Sequence, residues 1–334
     1  MRSLTRLTFY SRVLGFLLLA LLGMVIFMAD DLAQRVTIPL KHPVCCQTPA
    51  DFAQGSPGRA GVKQVTGAGA SYENITFMTA DGLALSGWYI PPRNGAVIIL
   101  LHTYYSDRIQ TLPVARMLYQ GGYGVLMYDQ RASGQSQGEA RSLGWLDIPD
   151  LRAAAQWLSG REKNLKIGAY GCSMGGAIAL AGAVGAPDIQ AIAADAPSPM
   201  GWTESIAAVS SINLPTFNPL ETAGQMLFTL PVIALYYPLV MLHSYPKGAV
   251  SSISLPPTST IQAVQDNGAK ALLFISSGSD EELARVSRYD EAARGPHEHW
   301  NIPEAGHCGG PFARPQEYQQ HLLNFFNKNL YLQP

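Results

Sequence analysis

The sequence predicts an α/β protein with a mainly parallel central sheet, helices on both of its faces and one helical insertion. Three observations predict this. Short, near-continuous apolar runs alternate with helical patterns, as expected of strands buried on both faces. A composition 47% hydrophobic over 334 residues is ample for a large core. The alternation breaks once, between about residues 199 and 263, and then resumes.

In chain order, Arg2, Arg6 and Arg12 precede "VLGFLLLALLGMVIFMA" (Val13–Ala29), which Asp30 and Asp31 end. This reads as an uncleaved signal anchor over residues 1–30, since "IFMADDLA" offers no convincing small-residue cleavage pair. A cleaved signal peptide and a buried core helix are the alternatives. With the arginines on the N-terminal side, the expected topology is single-pass with the remaining chain extracytoplasmic. Residues 31–70, rich in Pro, Gly and Ala and without sustained periodicity, read as a linker.

The core then begins, its first part spanning 71–198. "ENITFMTADGLALSGWYIPP" is a hairpin turning at Asp81-Gly82. Strand-like "AVIILLH", "YGVLMYDQ", "KIGAYG" and "IQAIAADA" alternate with helical "DRIQTLPVARMLYQGG", "DIPDLRAAAQWLSG" and "MGGAIALAGAVG". The second part, 264–334, holds "KALLFISSG", a charged helix through Asp290, "HEHWNIPEA" and a last helix at "PQEYQQHLLNFFNKNL". Between them, 199–263 contains "MLFTLPVIALYYPLVML", where Pro231 and Pro238 argue against one straight spanning helix. It reads as a cap of short helices over the site, with a cap dipping into the lipid interface or a second span as rivals.

A formal charge of −1 with scattered Lys and Arg provides no basic stripe for a phosphate backbone, so nucleic acid is not an expected partner. Cys45, Cys46, Cys172 and Cys308 match no zinc spacing and read as buried or idle thiols. In an oxidising compartment the alternative is a Cys172–Cys308 bridge, since both would flank one site.

The chemistry centres on "KIGAYGCSMGGAIAL". A G-x-S-x-G between a strand and a helix forces its serine onto a sharp turn that projects the hydroxyl, which makes Ser173 a candidate nucleophile. Gly171 and Gly175 keep side chains out of the turn, and Gly176 lets the helix lie close to the sheet. The competing reading is a small packing residue. Serine needs a base, and His307 in "NIPEAGHCGG" sits on a small-residue loop after the last strand. His297, His299 and His321 fall in strand or helix patterns and read as structural or solvated. The acid orienting His307 is expected to be Asp280, after the strand "ALLFISS"; Glu281 and Glu282 compete with it, Asp195 is the next candidate, and Asp280 as a mere helix cap is the alternative.

With Ser173, Asp280 and His307 in that order, residues 71–330 resemble an α/β-hydrolase. The likeness extends to "DQRASGQS" (Asp129–Ser136), similar to the family's D-x-R-x-x-G-x-S turn, and to the insertion after the sixth strand. The resemblance implies an oxyanion hole built from the backbone amides of Met174 and Tyr104. It departs at "LLHTYYSD", where Thr103 stands in place of the family's frequent glycine.

The expected function is a membrane-tethered serine hydrolase acting on a small-molecule ester or lipid-like substrate through an acyl-enzyme, with no metal or organic cofactor. A serine peptidase of the same fold and a non-catalytic binding module are the alternatives.

Overall fold

A computed structural model describes residues 2–41, 47–52, 70–201, 204, 231–244 apart from 233 and 237, and 259–331. Cys45, Cys46, most of the expected linker and most of the expected cap lie outside the described residues. The chain forms two compact units. One comprises Met1–Ile38 with Ile212–Leu255, the other Pro39–Ser211 with Pro256–Pro334.

In the first unit, helix α1 runs over Arg2–Thr37. It continues past Asp30 and Asp31, where the anchor was expected to end. Asp30 accepts from Gln34 at 2.6 Å and Asp31 pairs with Arg35 at 2.7 Å, so the i,i+4 partners carry the helix onward. Of α1, the stretch Tyr10–Thr37 contains an 18-residue window with a mean hydropathy of 2.5 and is long and apolar enough to cross a membrane. The described residues of 231–244 are helical, and His243 Nε2 meets Asp30 Oδ1 at 2.7 Å. This part of the expected cap therefore shares a compact unit with α1.

The second unit is built on an eight-stranded sheet: β1 (Glu73–Met78), β2 (Ala84–Ile90), β3 (Ala96–Leu101), β4 (Gly124–Tyr128), β5 (Lys166–Cys172), β6 (Ile189–Asp195), β7 (Ala271–Ser277) and β8 (His297–Ile302). Their spatial order is β1-β2-β4-β3-β5-β6-β7-β8. β2 is antiparallel to both neighbours, and the remaining pairs are parallel. The hairpin turns where the Asp-Gly pair placed it, Gly82 taking φ 83°.

The helices of this unit are α2 (Leu112–Gln120), α3 (Ile148–Arg161), α4 (Met174–Ala183), α5 (Thr260–Asp266), α6 (Asp280–Ala292), α7 (Gly310–Ala313) and α8 (Pro315–Tyr331). Alternate strand residues such as Ile98, Leu100, Val125 and Met127 form one core layer with Leu118 of α2 and Leu322 and Phe326 of α8. Helix α5 was not anticipated. Ser259 caps it, and the Asn267 amide at its end donates to Leu180 O at 2.8 Å, tying it to α4. Residues 260–263, expected in the insertion, thus belong to a helix packed on α4.

The strand order positions the site. β3 lies between β4 and β5, so the chain leaves β3 toward one edge and β5 toward the other. Open α/β sheets bind ligands at such a switch point, beyond the carboxyl ends of the strands. The register Leu101↔Gly171 sets the loop after β3 beside the turn after β5.

Candidate active site

Between β5 and α4, Ser173 adopts φ 56°, ψ −121°. A non-glycine residue there stores on the order of 1–3 kcal/mol of strain and persists only when its surroundings enforce it. They do. A Cβ on Gly171 would overlap the Gly175 carbonyl, and one on Gly175 would overlap that of Leu101. Ser173 N donates to Asp195 O at 2.9 Å, while Ser173 O accepts from Ala177 N and Ser198 N at 3.1 Å. Although Ser173 occupies the N-cap position of α4, its side chain does not cap the helix; the hydroxyl instead meets Ser198 Oγ at 3.0 Å. The packing reading gives no reason for a strained serine that leaves its cap unmade.

His307 follows β8 on a loop, with about half its side chain exposed. Its Nδ1 lies 2.5 Å from Oε2 of Glu282, which is buried. The partner expected from sequence, Asp280, is exposed on the first residue of α6. The carboxylate paired with His307 is therefore Glu282 and not the expected Asp280. The reason lies in the phase of α6: Glu282, Val286 and Tyr289 are its buried residues, spaced by four and three along one face. Ser279 caps α6 and accepts from Glu282 N, so Glu282 occupies the third helical position of a capping-box pattern. Its Oε1 turns back to accept from Ser277 N at 2.7 Å. That Ser-x-x-Glu spacing and the helical period were the signals available in the sequence. A carboxylate accepting at Nδ1 fixes the tautomer with the proton there, leaving Nε2 free to take one.

Ser173 and His307 are drawn together through their chain neighbours. Cys172 and Cys308 form a disulfide with Cα atoms 6.0 Å apart across a sequence separation of 136. These cysteines are therefore not idle thiols. Ser277 Oγ also holds the histidine loop, donating to Gly306 O at 3.1 Å.

On the other side, the loop after β3 is held without the family's glycine. His102 is wholly buried, which lowers its pKa and keeps it neutral. Its Nδ1 bonds Thr103 O at 2.8 Å, and its Nε2 accepts from Gln130 N at 3.0 Å. Thr103 N donates to Gln110 Oε1 at 3.1 Å. Arg141 lies over the rings of Tyr104 and Tyr105 and donates to Tyr104 O at 3.2 Å. Met174, the other expected oxyanion donor, is the first residue of α4, where an amide has no partner within its own helix.

Comparison with known proteins agrees with this architecture. The structure of an esterase from Pyrococcus furiosus superposes with a TM-score of 0.62 at 23% identity, covering 88% of this chain and 98% of the other. The chain is an α/β-hydrolase by fold. The family model for X-Pro dipeptidyl-peptidases of the S15 family matches residues 81–227 of this chain, a range that includes Ser173 and ends before Glu282 and His307. An uncharacterized protein of Mycobacterium tuberculosis is 32% identical over 119 residues, 34% of this chain and 42% of the relative, so the likeness spans less than half of that protein. The uncharacterized protein YqkD of Bacillus subtilis is 26% identical over 226 residues, 65% of this chain and 67% of the relative.

Within the hydrolase fold, the Asp129–Ser136 motif is scaffolding. Asp129 accepts from Arg108 N at 3.0 Å and Gln135 N at 2.8 Å, and Gly134 takes φ 47° where a Cβ would collide with the Asp129 carboxylate. Arg131 grips buried Asp150 through Nε at 2.8 Å and Nη2 at 2.5 Å, and reaches Asp81 of the hairpin turn at 3.0 Å. Of the other histidines, His299 bonds Ser276 Oγ at 2.9 Å and His321 stacks on Trp300. Among the described residues, no group of three or more His, Cys, Asp and Glu is placed to hold a metal ion.

One buried acid lies beneath the elbow. Asp195 ends β6, and its Oδ2 accepts from Tyr318 OH at 2.7 Å. Its Oδ1 is buried and meets no hydrogen-bond partner among the described residues. Burial pushes its carboxyl up to about 7, against the Tyr318 hydrogen bond and the nearby His307 and with the repulsion of Glu282.

Proposed function

We propose that this protein is a membrane-tethered serine hydrolase that cleaves carboxylic esters. Ser173 Oγ attacks the acyl carbon while His307 Nε2 takes its proton, and Glu282 holds the imidazole and balances the charge it acquires. Nε2 then protonates the departing alcohol. Water, deprotonated by the same nitrogen, releases the acyl group from Ser173. The amides of Met174 and Tyr104 serve as oxyanion donors.

The observation that carries this reading is Ser173 itself: a strained serine with an unspent capping hydroxyl, one peptide from a disulfide whose far end is one peptide from a carboxylate-paired histidine. The esterase named above shares the fold and supports the substrate class. Tethering rests on α1, and the disulfide agrees with an extracytoplasmic, oxidising setting for the catalytic unit. The deciding experiment is labelling by a fluorophosphonate probe, which native protein should accept and Ser173→Ala should not; equal labelling of both would refute the assignment.

The S15 match favours a second reading, a serine peptidase acting after proline. Turnover of an X-Pro anilide at a kcat/KM above that of p-nitrophenyl esters would select it.

A further inference from the structure

We propose that the Cys172–Cys308 disulfide is a positioning link for catalysis, holding the His307 loop in register with the Ser173 turn so that full turnover requires its oxidised form. This rests on the reading of Ser173 and His307 as nucleophile and base.

The two ends of the link differ in rigidity. Cys172 is the last residue of β5, almost wholly buried and paired in register with Asp195 of β6. Its position is set by the sheet, and Ser173 follows it directly. Cys308 takes a left-handed φ of 57° on the loop from Pro303 to Gly309, of which only Ala305 is buried. A loop with so little buried surface opens locally at low free energy. Its other ties are the Ser277 hydroxyl and the Gly309 amide on Gly306 O, the Ala305 amide on Ile302 O, the Phe312 and Ala313 amides on Gly309 O, the Glu304–Arg314 ion pair and the His307–Glu282 contact. None of these reaches β5. Among the described residues, the disulfide is the direct covalent tie between the strand that carries the nucleophile and the loop that carries the base.

Displacing a catalytic group by about 1 Å can lower turnover on the order of 100-fold. Reduction would release that constraint. A dithiol reductant supplies two electrons: its thiolate attacks one cysteine sulfur, the other leaves as a thiolate, and the second thiol of the reductant closes to a cyclic disulfide, leaving two protein thiols.

The test uses full-length protein in detergent. Kinetics on a p-nitrophenyl ester are compared for native protein, dithiothreitol-treated native protein and the Cys172→Ala/Cys308→Ala double variant, at a temperature below the melting midpoint of each. Fluorophosphonate labelling is run in parallel. The expected result is a fall in kcat of about tenfold or more with KM changed less than about twofold. Treated native protein should regain turnover on reoxidation, and the double variant should not respond to dithiothreitol. A lowered melting midpoint with unchanged kcat in the double variant and in reduced native protein would overturn the proposal, leaving the bond a stabilising role only. Native protein that neither labels nor hydrolyses the ester would instead defeat the reading of Ser173, and the proposal with it.

Discussion

Glu282 Oε2 lies 2.5 Å from His307 Nδ1, whereas Asp280, two residues earlier on the same helix, faces solvent. Only one of three consecutive carboxylates can therefore orient the imidazole. Glu282→Gln should lower kcat by about 100-fold or more, since the amide no longer stabilises the imidazolium or fixes its tautomer. Asp280→Asn should stay within about twofold of native. Steady-state kinetics on one ester decide it, and a larger loss in Asp280→Asn would return the acid to that position.

The elbow has no room for a methyl group. In Gly175→Ala the new Cβ would meet the Leu101 carbonyl, which cannot yield without disturbing β3. The expected loss is on the order of 2–4 kcal/mol, with a melting midpoint lower by several degrees. An unchanged midpoint with full activity would show that the turn relaxes at little cost.

Asp195 makes stability depend on pH in the direction opposite to a salt-bridged acid. Its folded-state pKa, about 7, lies above the ordinary value of 3.8, so the native state binds more protons than the unfolded chain between those limits. The native state should lose stability from this group as pH rises from about 4 to about 7, and the loss should then level off. In Asp195→Asn the melting midpoint should decline less between pH 5 and pH 8 than in native protein. Parallel curves for the two proteins would contradict this account.

Arg131 stabilises the hairpin turn and α3 from a distance. Arg131→Met leaves Asp150 buried without its partner, which should lower stability by about 3–5 kcal/mol. Turnover per folded molecule at low temperature should hold, because none of these groups belongs to the Ser173 or His307 contacts. Denaturant unfolding and active-site titration separate the two effects.

Helix α1 makes the membrane reading testable. Full-length protein should stay in the membrane pellet through extraction at alkaline pH, as a span of apolar residues requires. Release into the supernatant would indicate a peripheral or cleaved protein.

Much of this was written locally in the chain. The sheet was legible because strands such as "AVIILL" are buried on both faces and therefore apolar throughout, and the turn at Ser173 because each glycine answers a backbone contact within a few residues or on the adjacent strand. The helix α5 was not legible as part of the core, because its membership shows only through contacts such as Asn267 with α4.

The choice among Asp280, Glu281 and Glu282 could not be made from residue type, since all three can orient a histidine. It depends on how α6 is rotated against the sheet, which its buried Val286 and Tyr289 decide, and on where the loop after β8 sets His307. The Cys172–Cys308 pairing is of the same kind. The sequence placed each cysteine beside a catalytic candidate, but 136 residues separate them, and only the parallel packing of β5, β6, β7 and β8 brings the strand end and the histidine loop within bonding reach.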